Sequence, residues 1–270
     1  MKTNIPERIA ALREAMRQQK VDAYIIPSSD PHLSEYPADR WKSREWISGF
    51  TGSAGTIVVT ADKAGLWTDS RYFLQAASQL EGSGIELYKL ALPETPSITE
   101  FLLHELHAGQ AVGLDGQTYS AAEASALANK LNRKEIKLDT SADLIEGIWK
   151  DRPAVPGNPI FEMPEALSGA SVHEKLDLIN NQLRSEGADC LILAALDEIA
   201  WTFNIRGTDV TYNPVVVSYA FVSEDESVLF IKPEKLTAEI TEHLKKEGVT
   251  LAEYSMIQRY LSRLPENSRV

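Results

Sequence analysis

The sequence predicts an α/β protein made of two similar three-layer domains, each a mixed sheet flanked by helices. Three observations lead there. Short apolar runs of strand length alternate with amphipathic helical patterns along most of the chain. A segment carrying four prolines, Lys150 to Pro164, interrupts that alternation at mid-chain. Two motifs of the first half return, in order, in the second. A length of 270 residues suits two domains.

In the first half, Ile9, Leu12 and Met16 fall on one face of a helix that starts near Pro6, and Ala23 to Ile26 is a short apolar strand. A polar loop, SSDPHLSEYPADR, follows. Thr56 to Thr60 and Gly65 to Thr68 read as a hairpin turning at ADKA. Glu86 to Leu90, Ala111 to Leu114 and Glu135 to Leu138 are further strand candidates, separated by helices near 97–108 and 119–133. The proline-rich stretch divides the chain into a first domain over 1–155, a linker over 156–164 and a second domain over 165–270.

The second half repeats the first. Leu176, Ile179 and Leu183 form another amphipathic stripe, and ADCLIL at 188–193 answers to VDAYII at 21–26, 167 residues earlier. WTFNIRG at 201–207 answers to WISGFTG at 46–52, 155 residues earlier, with tryptophan six residues before glycine in both. The 12-residue difference is a longer loop after the first strand of the first half. A helix near 234–247, a strand over Val249 to Glu253 and a helix near 255–263 follow, and the pattern then stops where the first domain has more sheet. The second domain is therefore expected to be truncated.

Composition excludes several classes of function. Acids outnumber bases 39 to 27, for a formal charge of -12, so nucleic acid is not an expected partner. No apolar run approaches the roughly 20 residues of a membrane span, and the N-terminus has no apolar core of a secretory signal. A cytoplasmic chain is expected. The one cysteine, Cys190, sits in an apolar run and reads as an inert core thiol.

Motifs that suggest chemistry mostly have plainer readings. HELH at 104–107 lacks the i,i+4 histidine spacing of a zinc helix, and His32, His173 and His243 join no ligand cluster. GFTGSAG at 49–55 lacks the lysine and the following helix of a phosphate loop and reads as a turn from helix to hairpin. Serines 28, 29, 53 and 70 lack a nucleophile elbow. The loop with Trp41, Trp46, Asp39, Arg40, Lys42, Arg44 and Glu45 reads either as a contact surface or as a solvated loop anchored by its two tryptophans.

One residue breaks a local rule. In GLWTDSRYFLQA, a strand ends at Thr68, Asp69 and Ser70 cap, and a helix begins by Tyr72, so Arg71 lies in the first helical turn. The positive end of the helix dipole disfavours a cation there. Arg71 is either paired with a carboxylate such as Asp69 or placed for function, where its planar fork suits a carboxylate or peptide carbonyl.

PSSDPHLSEY, EWISGFTGSAGTIVVT, LWTDSRYFLQAA, IWKDRPAVP and IAWTFNIRGTDVTYNPVVVSYAFV together resemble the N-terminal half of long-chain aminopeptidase P, the cytosolic three-domain Xaa-Pro aminopeptidase. The likeness covers essentially the whole chain. It implies two domains of the creatinase/prolidase N-terminal type, followed in the family by a pita-bread catalytic domain that holds two metal ions, commonly manganese. That domain removes the N-terminal residue of peptides with proline second, using two aspartates, a histidine and two glutamates as ligands. By this resemblance the present residues contain no catalytic or metal-binding side chain and no cofactor, and are silent alone. The same resemblance places Arg71, within TDSRYF, at the peptide substrate, and implies a homodimer. The alternative is a stand-alone peptide-binding or dimerisation module without enzymatic activity.

Overall fold

The computed structural model describes residues 4–270. The chain divides into two compact units, residues 1–154 and 155–270.

In the first unit the order of elements is α1 (Ile5–Gln19), β1 (Ala23–Ile26), α2 (Ser43–Ser48), β2 (Thr56–Thr60), β3 (Ala64–Thr68), α3 (Phe73–Gln79), β4 (Glu86–Lys89), α4 (Ile98–Glu105), β5 (Ala111–Leu114), α5 (Ala121–Asn132), β6 (Lys137–Asp139) and α6 (Leu144–Ile148). The six strands form one sheet in the order β4-β3-β2-β1-β5-β6. The pairs β1–β2 and β2–β3 are antiparallel, whereas β3–β4, β1–β5 and β5–β6 are parallel. Period-two alternation makes the three layers. Tyr24 and Ile26 of β1 join a core with Ile9, Leu12 and Met16 of α1, while Ala23 and Ile25 join a second core with Phe101 and Leu102 of α4 and Leu131 of α5. Both α4 and α5 start with a capping box, Ser97 with Glu100 and Ser120 with Glu123, which satisfies the first free N–H groups. The last strand starts two residues later than expected, because Glu135 adopts a left-handed φ of 57° and turns the chain out of α5.

The second unit runs β7 (Phe161–Glu162), α7 (Glu165–Ser168), α8 (Val172–Glu186), β8 (Cys190–Leu193), α9 (Leu196–Thr202), β9 (Ile205–Arg206), β10 (Tyr219–Ser223), β11 (Ser227–Phe230), α10 (Ala238–Lys246), β12 (Val249–Ala252) and α11 (Ile257–Leu261). Its main sheet has the order β12-β11-β10-β8. Its pairings are antiparallel, antiparallel and parallel from β8 outward, the succession of β1, β2, β3 and β4 in the first unit. The match extends to a side-chain contact. Asp22 accepts from the Ala111 N–H while its own N–H donates to the Ala111 carbonyl, at the start of the parallel partner of β1. Asp189, just before β8, makes the same two bonds with Arg269.

Residues 156–164, expected as a linker, pack within the second unit. Ile160 lies in its core with Ile205 and Val216, its N–H donates to the Lys235 carbonyl, and β7 pairs with β9. The chain leaving the first unit is held there by charge. Arg152 binds Asp143 and Glu146 and donates to the Arg40 carbonyl, and Arg40 binds Glu146 and the Pro153 carbonyl. Val215 to Val217 and Ala220 to Val222 are buried, so that apolar run is core. Cys190 is buried, and burial pushes its thiol up.

Candidate functional site

The site is the segment that joins β3 to α3, together with the loop between α2 and β2. α2 ends at Gly49, whose φ of 73° is the left-handed turn that glycine makes without strain. Phe50 to Gly55 then cross to β2, and the crossing is tied down along its length. The Phe50 N–H donates to Ser48 Oγ. Thr51 receives bonds at its hydroxyl from Gln75 and Gln79 of α3. Ser53 Oγ lies 2.7 Å from the Tyr72 hydroxyl, Thr68 Oγ1 donates to the Ala54 carbonyl at 2.6 Å, and Ser28 Oγ donates to the Gly55 carbonyl at 2.7 Å. A Cβ at position 52 would stand 2.7 Å from the Tyr72 ring and 2.3 Å from Phe50. Glycine there is what lets the two rings meet edge to face, 5.9 Å apart.

Beneath the loop lies Arg44, only 6% exposed. Its Nη1 donates to the Phe50 carbonyl at 2.7 Å, Nη2 to the Gly52 carbonyl, and Nε to Ser28 Oγ at 2.6 Å. All three acceptors are neutral. Burial therefore pushes the guanidinium down to about 10. The reading of a solvated loop anchored by its tryptophans agrees with Trp41, which is buried, but fails for Arg44, which is buried as well. Arg44 lies three residues before Ile47 and four before Ser48, both buried, so helical spacing puts it on the inner face.

Arg71 sits on the outer side of this assembly. It belongs to a 3-10 turn, Ser70–Tyr72, rather than to the first turn of α3 as expected, and α3 begins only at Phe73. Asp69 caps that turn and resolves the misplaced cation. Its Oδ1 accepts from the Arg71 backbone N–H at 3.0 Å and from Nε at 2.9 Å, and its Oδ2 accepts from Nη2 at 2.8 Å. These hydrogen bonds push the Arg71 guanidinium up and hold the Asp69 carboxyl below the usual carboxylate range. The guanidinium carbon also stands 5.1 Å from the centre of the Tyr72 ring.

The bidentate pair uses the Nε–Nη2 edge of the fork. Five donors minus two leaves both Nη1 hydrogens and one on Nη2, and the side chain is 63% exposed. The exposed Tyr36 hydroxyl and the charge of Glu35 both interact with the guanidinium. Glu35 also raises the Tyr36 hydroxyl. The arrangement can receive a carboxylate or carbonyl oxygen end-on. Among the described residues no three His, Cys, Asp or Glu side chains converge as a metal site.

Family models described as the Creatinase/Prolidase N-terminal domain match residues 8–148 and 151–270. The chain is 40% identical over 263 residues to a protein of Coprinopsis cinerea named "Probable Xaa-Pro aminopeptidase P", covering 97% of this chain and 42% of the relative. It is 40% identical over 268 residues to "Aminopeptidase P2" of Arabidopsis thaliana, covering 97% of this chain and 38% of the relative. Its structure superposes on that of an X-prolyl aminopeptidase from Caenorhabditis elegans, described as a cytosolic enzyme with a di-nuclear active site. That match has a TM-score of 0.91 and 31% identity, and covers 97% of this chain and 44% of the other. The chain thus spans about two-fifths of the length of the curated relatives it matches. With a model matched in each half, the chain belongs to the creatinase/prolidase N-terminal domain family.

Proposed function

We propose that these residues are the substrate-shaping region of a metal-dependent Xaa-Pro aminopeptidase, acting on peptides with proline second, and that Arg71 binds the peptide. The observation that carries the reading is the free, outward edge of the Arg71 fork, oriented by Asp69 and exposed to solvent. A planar fork with one edge fixed presents its other donors at a defined angle, which suits a peptide carbonyl or terminal carboxylate. The two units hold and orient the substrate, and hydrolysis belongs to a further domain with two divalent ions, manganese by the family resemblance. Homodimerisation and a cytosolic setting are part of the same reading. No helix among the described residues is long and apolar enough to cross a membrane.

The second unit also continues in the longer protein. The repeat of the Asp22–Ala111 contact at Asp189 and Arg269 supports a strand parallel to β8, as β5 is to β1.

Replacing Arg71 by alanine in the full-length enzyme is expected to lower kcat/KM for an Xaa-Pro tripeptide by about 10- to 100-fold, the range of one or two charge-assisted bonds. The melting temperature is expected to stay put, because the side chain is exposed. An unchanged kcat/KM removes the reading.

A further inference from the structure

Arg44 is a buried cation to which neither the sequence motifs nor the family match assigns a role. Its three neutral acceptors are the carbonyls of Phe50 and Gly52, in the loop that packs against Tyr72, and Ser28, whose hydroxyl donates to the Gly55 carbonyl at the end of that loop. The guanidinium also lies 4.9 Å from the centre of the Phe50 ring, and Phe50 meets Tyr72 edge to face. Tyr72 in turn is fixed by Ser53 at one end and carries Arg71 over its ring. The contacts run without a gap from Arg44 through the 50–55 loop to Tyr72 and Arg71.

A loop of this length needs no charge to hold it. Neutral donors supply carbonyl bonds without the desolvation that a buried guanidinium incurs. What the guanidinium adds is three donors fixed in one plane, reaching two points of the loop and, through Ser28, the segment that ties its far end at Gly55, all at once. A lysine ammonium at the same position retains the charge but not that geometry.

We propose that Arg44 is a positioning residue for Arg71: it sets the 50–55 loop as a bed for Tyr72, and thereby the direction in which the Arg71 fork meets the peptide. The proposal rests on the reading of Arg71 as a peptide contact. Arg44 touches no substrate.

The test is a double-mutant cycle in the full-length enzyme with an Xaa-Pro tripeptide, using Arg44→Lys, Arg71→Ala and both together. Arg44→Lys is expected to raise KM about fivefold with kcat within about twofold, because binding geometry is lost and chemistry is not. In the Arg71→Ala background the same change is expected to add less than about twofold, since its route to the substrate is gone. Equal penalties in both backgrounds overturn the proposal while leaving Arg71 as a contact. No penalty from Arg71→Ala alone overturns both. Should Arg44→Lys fail to fold, Ser28→Ala removes one acceptor and the tie to Gly55 without burying a new charge. It is expected to raise KM in the wild-type background only, and a rise of equal size in both backgrounds overturns the proposal.

Discussion

Arg71 makes two side-chain bonds to Asp69 and keeps three donors outward, so its position depends on one neighbouring carboxylate. Asp69→Asn preserves the cap, because an amide oxygen still accepts from the Arg71 N–H, but removes the charge that pins the fork. In the full-length enzyme KM is expected to rise several-fold while kcat holds, read from steady-state kinetics; a fall in kcat alone contradicts this assignment. The pH dependence follows in sign. Asp69 titrates below the usual carboxylate range in the folded chain, so the pair is complete above that range and is lost only as pH falls through the lowered value. The ratio of wild-type to Arg71→Ala activity is therefore expected to be flat between about pH 5 and 9, since neither partner titrates there. At this scale the sequence revealed the anomaly at Arg71 and even its pairing partner. It did not reveal Arg44, because a cation buried against backbone carbonyls carries no signature in residue type. Only its helical spacing from Ile47 and Ser48 marked the inner face.

Among the elements, strands and their faces were legible and turns were less so. The alternation in VDAYII places Tyr24 and Ile26 opposite Ala23 and Ile25, and the two cores separate along that line. The start of α3 was not legible: a 3-10 turn and a helix share the same capping residues, and the Asp69 contacts decide between them. The proline-rich segment misled for a similar reason, since Ile160 is a single apolar residue among prolines yet reaches the second core. That segment is also tied to the buried ion pair of Lys235 and Asp209, because the Lys235 carbonyl accepts from the Ile160 N–H. Both side chains are inaccessible, at 0% and 1% exposure, and Asp209 Oδ2 also accepts from the Val217 N–H leading into β10. Lys235→Met leaves that carboxylate buried and unpaired. Such a break costs about 3–5 kcal/mol, expected as a clear fall in the urea midpoint of the second unit, with much of it recovered by adding Asp209→Leu. A single substitution costing less than about 1 kcal/mol contradicts the pair's place in that core.

Over the whole molecule, the repetition read from VDAYII and ADCLIL has a structural counterpart in the matched strand pairings of the two sheets. It extends to the aspartates that stand second in those two motifs, Asp22 and Asp189, whose matching contacts the sequence alone did not show. The proposed division of labour rests on the resemblance, because an exposed arginine and a buried one look alike in a string of residues. In the proposed division, the two units shape and hold a peptide, and the chemistry lies in polypeptide outside these 270 residues. The most direct measurement incubates the 270-residue chain with manganese and an Xaa-Pro tripeptide, beside the full-length enzyme, and follows the freed N-terminal residue. The proposal predicts release by the full-length enzyme and none by the chain alone. Release by the chain alone, at a rate proportional to its concentration and abolished by a chelator, would contradict it.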